Sequence, residues 1–220
     1  MLVVGEASVS FDLVDHLPLE KRRVVDDHII RIADIVGALF CLVISAPILP
    51  LIGFLIRLDS CGPAIFRQKR AGKNGSVFTM HKFRTMRNGA DRLPQRFRNG
   101  YEPVVKIAND SRITRMGSIL RKYSVDELPQ LINILKGDMS FVGPRPPVLE
   151  EFNAYGEHQR SRLAGKPGLT GLAQVNGRSD LDFNSIVKFD TYYNENRSVR
   201  LYFRILLQTI PCCLSCKSSY

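Results

Sequence analysis

Between Ile35 and Ile56 the chain carries 22 consecutive residues without a charged side chain, IVGALFCLVISAPILPLIGFLI, and this run limits the possible folds more than any other feature. As one straight helix it reaches roughly 33 Å at ~1.5 Å per residue, against a hydrocarbon core of ~30 Å. Pro47 and Pro50, however, sit near its centre. Each removes a backbone donor and crowds the carbonyl four residues earlier, so the run predicts a break near Ser45-Ala46-Pro47. Halves of about 11–12 residues, or ~17 Å, are too short to cross a bilayer alone, which favours a helix that dips into one leaflet and returns. Ser45 is placed to satisfy a backbone group freed at the break. Lys21, Arg22, Arg23 and Arg31 precede the run, and Arg57, Arg67, Lys69, Arg70 and Lys73 follow it. Basic residues on both flanks put both ends on the cytoplasmic side. On the apolar run alone, a buried hairpin of a soluble core is the competing reading.

A chain of 220 residues with 45% hydrophobic residues holds one compact unit with small appendages, and is neither disordered nor fibrous. Its formal charge of +10 attracts anions: nucleic acid, phosphorylated small molecules or anionic lipid. Five cysteines, partly clustered near the C-terminus, do not form the even framework of a secreted domain. Cys212, Cys213 and Cys216 lack a nearby fourth ligand for zinc, and His16, His28, His81 and His158 show no metal spacing. Residues 1–27 lack the pattern of a signal peptide.

Four segments follow from the composition: an N-terminal extension (1–28), a re-entrant helical hairpin (29–60), a small mixed, mainly helical cytosolic domain (61–198) and an amphipathic C-terminal segment (199–220). The fold class is α+β, with short strands at Ala64–Phe66 and Val77–Met80 joined by a Gly72–Gly75 turn. In HKFRTMR, Lys82, Arg84 and Arg87 alternate with Phe83 and Met86, which predicts a strand with one basic face. MGSILRKY and ELPQLINIL read as helices, 91–109 as a polar surface loop, and VRLYFRILLQTIPCCL as a helix suited to a membrane surface.

The densest chemistry lies in RKYSVDELPQ. Ser124 and Glu127 have capping-box spacing, although with Ser124 as cap Pro129 falls a full turn inside the helix; with Asp126 as cap it falls in the first turn. Either way two adjacent carboxylates stand at a helix start beside Arg121 and Lys122, and both are expected to be ionised. Such carboxylates serve as caps, as metal ligands or as a nucleophile toward phosphorus. In Gly143-Pro144-Arg145-Pro146-Pro147 a stiff backbone presents one guanidinium, suited to a phosphate or simply exposed. The glycines of Lys166–Arg178 (KPGLTGLAQVNGR) allow close approach to a ligand or merely tight turns.

In order, the broken apolar run, FRQKRAGKNGSVFTMHKFRTM, YSVDELPQLINILKGDMSFVGPRPP and KPGLTGLAQVNGR resemble the bacterial sugar transferase family, the monotopic polyprenyl-phosphate phosphoglycosyltransferases. The resemblance runs from about Ile29 to Leu207 and is that of a small exopolysaccharide-type catalytic core, without the extra membrane helices of larger relatives. It implies transfer of a sugar 1-phosphate from a UDP-sugar to undecaprenyl phosphate with release of UMP, and a need for Mg²⁺. By the family's motif Asp126 is the nucleophile, giving an aspartyl-phosphosugar intermediate, and Glu127 supports it; the two carboxylates also hold the Mg²⁺. Arg145, Arg121 and Lys82 are the matching phosphate-binding positions. The same resemblance places the chain in the bacterial inner membrane, in contact with its lipid, with the active site on the cytoplasmic face. Leu172 stands where many relatives carry an aromatic. The remaining readings are a non-catalytic membrane scaffold, against which Asp126, Glu127 and Arg145 are all present, and a basic nucleic-acid binder, against which the cations gather at Gly/Pro loops. The sequence does not name the sugar or the oligomeric state.

Overall fold

The computed structural model describes residues 19–90, 110–177 and 181–214. The expected loop 91–109, most of the N-terminal extension, and Cys216 and Arg178 lie outside these residues.

Helix α1 (Leu19–Ser45) ends at the serine, Ala46 and Pro47 form a turn, and α2 (Ile48–Asp59) follows. The Ser45 hydroxyl donates back to the carbonyls of Cys41 at 2.7 Å and Leu42 at 3.3 Å, in the last turn of the helix before the break. Helix α1 is longer than the uncharged run suggests: its 27 residues begin well before Ile35, because charged side chains on one face are absorbed by the protein. Arg31 donates from Nη1 to Ile134 O at 2.6 Å and from Nη2 to Leu135 O at 2.7 Å. Asp34 is buried and its Oδ1 accepts from Ser140 Oγ, Phe141 N and Tyr202 Oη at 2.9–3.0 Å. Three donors make a buried carboxylate tolerable, and they lock α1 to two distant segments at once.

Beyond Asp34 the outward face changes character. Val36, Phe40, Val43, Ile48, Phe54 and Leu58 are all more than half exposed, so α1 and α2 present a continuous apolar surface to the surroundings. Arg23–Ser45 is long and apolar enough to cross a membrane by length and composition, and less than a quarter of its most apolar stretch is buried in the protein. Ile52 and Ile56, one turn apart on the opposite face of α2, pack on Phe83 and Leu120.

Strands β1 (Ile65–Ala71) and β2 (Val77–Phe83) form an antiparallel hairpin with Ile65 opposite Phe83 and Ala71 opposite Val77. Its turn places Asn74 and Gly75 at φ 53° and 79°. The basic face expected for HKFRTMR does not form: β2 stops at Phe83, and Arg84 is buried beneath the end of α2, where it donates to Ser60 O at 2.5 Å and Cys61 O at 2.8 Å. Helix α3 (Arg115–Lys122) is capped by Thr114, whose hydroxyl accepts from Gly117 N at 3.0 Å. A 3₁₀ turn (Val125–Gln130) leads into α4 (Leu131–Lys136), and a parallel pair, β3 (Ser140–Val142) and β4 (Gly168–Thr170), aligns Ser140 with Gly168.

Short helices α5 (Leu149–Ala154), α6 (Glu157–Arg160) and α7 (Leu172–Val175) fill the connections, and α8 (Phe183–Glu195) and α9 (Val199–Leu214) close the chain. One cluster packs α1, β2 and α4 around Ala38, Met80, Leu131 and Ile134; another packs α1, β3, α8 and α9 around Ile30, Val142, Tyr193 and Tyr202. The apolar residues of α9 divide between two faces: Tyr202 and Ile205 are fully buried, whereas Phe203, Leu207 and Ile210 face outward on the side that carries Arg200 and Arg204. The expected α+β, mainly helical composition is what the described residues show.

Candidate active site

Neither cap reading survives at the loaded segment. Ser124 occupies the N-cap position in the left-handed region (φ 55°) and its side chain makes no cap hydrogen bond, while Asp126 lies inside the 3₁₀ turn. Pro129 lacks the donor that an α-helical turn requires, and α4 starts only at Leu131. The tightened turn aims Glu127 at β2, where its Oε1 meets Lys82 Nζ at 2.7 Å.

That meeting is held in register by Asn133, which is fully buried. Its Oδ1 accepts from His81 N at 3.1 Å and its Nδ2 donates to Thr79 O at 2.7 Å, so the side chain completes β2 as a neighbouring strand would. Lys82 is the next residue along. Here the NILKGD portion of the motif has a physical role, which the sequence reading missed: it ties the helix after the carboxylates to the strand bearing the cation.

Arg145 projects, exposed, from a loop whose neighbours Gly143, Pro144, Pro146 and Pro147 are all buried. The loop is stiffened by backbone contact as well as by proline: a Cβ on Gly143 would stand 2.3 Å from Lys166 O, and one on Gly168 would stand 2.1 Å from Gly143 N. These glycines serve the β3–β4 approach, and Gly168 in addition borders the pocket, so tight turns do not explain them.

A small open pocket results, bordered by Arg70, Lys82, Glu127, Gln130, Arg145, Gly168 and Gln174. It brings together three of the five residues proposed from the sequence: Glu127, Lys82 and Arg145. Asp126 and Arg121 stand outside the lining, and Arg121 Nε donates to Thr85 Oγ1 at 2.9 Å. Arg70 and Gln130 were not anticipated. The inward alternation of β1 marks Arg70 as a candidate, but its burial depends on Pro146, 76 positions later, to whose carbonyl it donates at 3.0 Å.

The two carboxyls differ in acidity. Burial raises Asp126 to about 6; Lys82 opposes the rise, Glu127 adds to it, and Arg121 opposes it again. At neutral pH both carboxyls are therefore ionised, as the sequence leads one to expect, but Asp126 less completely than a solvated carboxylate. For Glu127 burial also pushes upward, but Lys82 and Arg145 outweigh it and hold the carboxyl below its ordinary range. Adjacent residues thus separate into a carboxylate kept acidic by Lys82 and Arg145 and a buried one poised a little below neutral pH. Among the described residues no cluster of three or more His, Cys, Asp or Glu could hold a metal ion. Two carboxylates nonetheless suit Mg²⁺, which keeps several waters and takes its other ligands from substrate phosphates.

The chain is similar to known proteins. A family model described as bacterial sugar transferase matches residues 25–216. The galactosyl transferase CpsE of Streptococcus agalactiae is 43% identical over 184 residues, 82% of this chain and 41% of the relative. The undecaprenyl-phosphate galactose phosphotransferase of Salmonella typhimurium is 40% identical over 197 residues, 86% of this chain and 41% of the relative. The exopolysaccharide production protein ExoY of Sinorhizobium fredii is 38% identical over 197 residues, covering 86% of this chain and 87% of its own. The chain thus spans about two-fifths of the first two relatives and most of the third. With its carboxylate pair, its Arg145 loop and its apolar α1–α2 surface inside the matched region, the chain belongs to the bacterial sugar transferase family.

Proposed function

We propose that the chain transfers a sugar 1-phosphate from a UDP-sugar to undecaprenyl phosphate, releasing UMP and forming undecaprenyl-diphosphate-sugar, the first step of a surface polysaccharide. The observation that carries the reading is the juxtaposition of a buried carboxylate, Asp126, with an ion-paired one, Glu127, beside a pocket bearing Lys82 and Arg145. The name of the Salmonella relative supports the acceptor and the class of transfer.

In the first step an Asp126 carboxylate oxygen attacks the sugar-bearing phosphorus. The bond from that phosphorus to the UMP oxygen breaks, and UMP leaves with the electron pair. In the second, a phosphate oxygen of the polyprenyl acceptor attacks the same phosphorus and the acyl-phosphate bond breaks, regenerating Asp126. With its pKa near 6 Asp126 is mostly ionised at neutral pH yet more basic than a solvated carboxylate, which favours a nucleophile. Lys82 and Arg145 neutralise charge on the phosphoryl group, Arg121 balances Asp126, and Lys82 keeps Glu127 charged and in place. Asp126 and Glu127 would hold Mg²⁺, whose chemistry is to neutralise phosphate oxygens.

The apolar surface supports an acceptor met at the membrane. Asp34 and Arg31 are held by the globular part, so only the outward faces of Ile35–Ser45, ~16 Å of helix, and of α2 are free to meet lipid. This favours a re-entrant hairpin, with both ends and the active site on the cytoplasmic face of the inner membrane. Phe203, Leu207 and Ile210 of α9 would rest at the interface. Purified protein incubated with a panel of UDP-sugars and undecaprenyl phosphate tests the reading: UMP is expected from at least one donor, and its absence from all would refute it.

A further inference from the structure

The pocket contains two buried donors that make no close hydrogen bond within the protein. Gln130 is 3% exposed, and its Nε2 makes only a loose approach to the Glu127 carboxylate, whose charge it helps to hold. Arg70 Nε is unpaired, while both terminal nitrogens of that guanidinium are committed: Nη1 to Pro146 O at 3.0 Å and Nη2 to Gln68 Oε1 at 2.7 Å. The committed nitrogens fix the guanidinium in place, so its orientation is set by the fold and not by solvent. Buried polar groups are nearly always paired, and an unpaired one destabilises the chain that carries it. Both donors border the same pocket as Lys82 and Arg145.

We propose that Arg70 and Gln130 form a seat for a phosphate oxygen of the bound diphosphate or phosphate monoester. An anion is the acceptor that fits, because Arg70 and Arg145 are two guanidiniums whose charges oppose one another. Burial, reinforced by that repulsion, pushes Arg70 down to about 10. Exposed Arg145 meets the ligand at the mouth of the pocket, and Arg70 with Gln130 grips it at the floor. In a two-step transfer the departing nucleotide phosphate and the arriving lipid phosphate stand in turn opposite the same phosphorus, so one seat serves both. The seat presupposes the transfer reading and adds the residues that hold the phosphate.

The test uses the full chain in lipid nanodiscs, with inorganic pyrophosphate as probe, followed by calorimetric titration and by thermal unfolding without ligand. Gln130→Met keeps the side-chain length and deletes the Nε2 donor. Pyrophosphate binding weakened about tenfold, with a melting temperature equal to or above that of the parent chain, is the expected result. Arg70→Met is expected to weaken binding about 10- to 100-fold, since it also removes a charge. Parent-like pyrophosphate binding in both variants overturns the seat, as does loss of stability in Gln130→Met without loss of binding. UMP release from UDP-sugar by the parent chain is measured alongside. Its absence from every donor overturns the transfer reading, while the pyrophosphate titrations still decide whether the anion seat exists.

Discussion

Asp126→Asn should yield a protein that is inactive and more stable than its parent. The carboxyl is 9% exposed, and burial leads the causes that move it from 3.8 to about 6. Two pH units at ~1.36 kcal/mol each give roughly 3 kcal/mol of strain in the ionised folded state. The sign is that of a raised carboxyl: the folded chain binds the proton more tightly than the unfolded one, so this contribution favours folding at low pH and is lost as pH rises through about 6. Asparagine carries no charge to desolvate. For a chain of this size ~1 kcal/mol corresponds to ~2–4 °C, so the variant should melt up to about 10 °C higher at pH 7.5. Scanning calorimetry in nanodiscs between pH 4 and pH 8 measures the difference, which should shrink toward zero near pH 4. An equal or lower melting temperature at pH 7.5, or a gap independent of pH, would refute the reasoning.

UMP release should rise with pH through about 6 as Asp126 ionises, and Glu127→Gln should cut turnover severely by freeing Lys82; a flat rate from pH 5 to 8 would contradict the first. Arg162 and Asp190 form a buried pair at 2.7 Å, and Arg162 also reaches Tyr155 Oη at 3.1 Å and Arg145 O at 3.5 Å. Arg162→Met alone should cost about 3–5 kcal/mol by leaving a buried carboxylate unpaired, whereas Arg162→Met with Asp190→Leu should recover most of it on denaturant unfolding. With native cysteines removed, single cysteines placed at Ala7 and at Asn74 should both be protected from an impermeant thiol reagent in intact cells; labelling at Ala7 would mean a true transmembrane span.

What the sequence disclosed depended on how local the physics was. Two prolines in an apolar run mark the Ala46–Pro47 turn, and Gly72–Gly75 marks the hairpin, because both act within a few residues. The extent of α1 was hidden, since Arg31 and Asp34 look like the end of an apolar helix until their partners near 134–141 and 202 are known. Ser124 matched the spacing of a cap, yet Pro129 removed the donor that an α-helical turn needs and the chain took a 3₁₀ turn instead. Within the site, Lys82, Glu127 and Arg145 were legible from short motifs. Arg70 was not, for its place in the pocket comes from the Arg145 loop, and neither was the split in acidity, which burial sets at Asp126 and the neighbouring cations set at Glu127.

The most direct test of the account is intact mass spectrometry of the purified protein mixed with its UDP-sugar and no lipid acceptor. The account predicts one UMP released per active site and a mass gain of one phosphosugar, mapped to Asp126 and absent from Asp126→Asn. UMP that appears only after undecaprenyl phosphate is added, with no adduct on the protein, would contradict it.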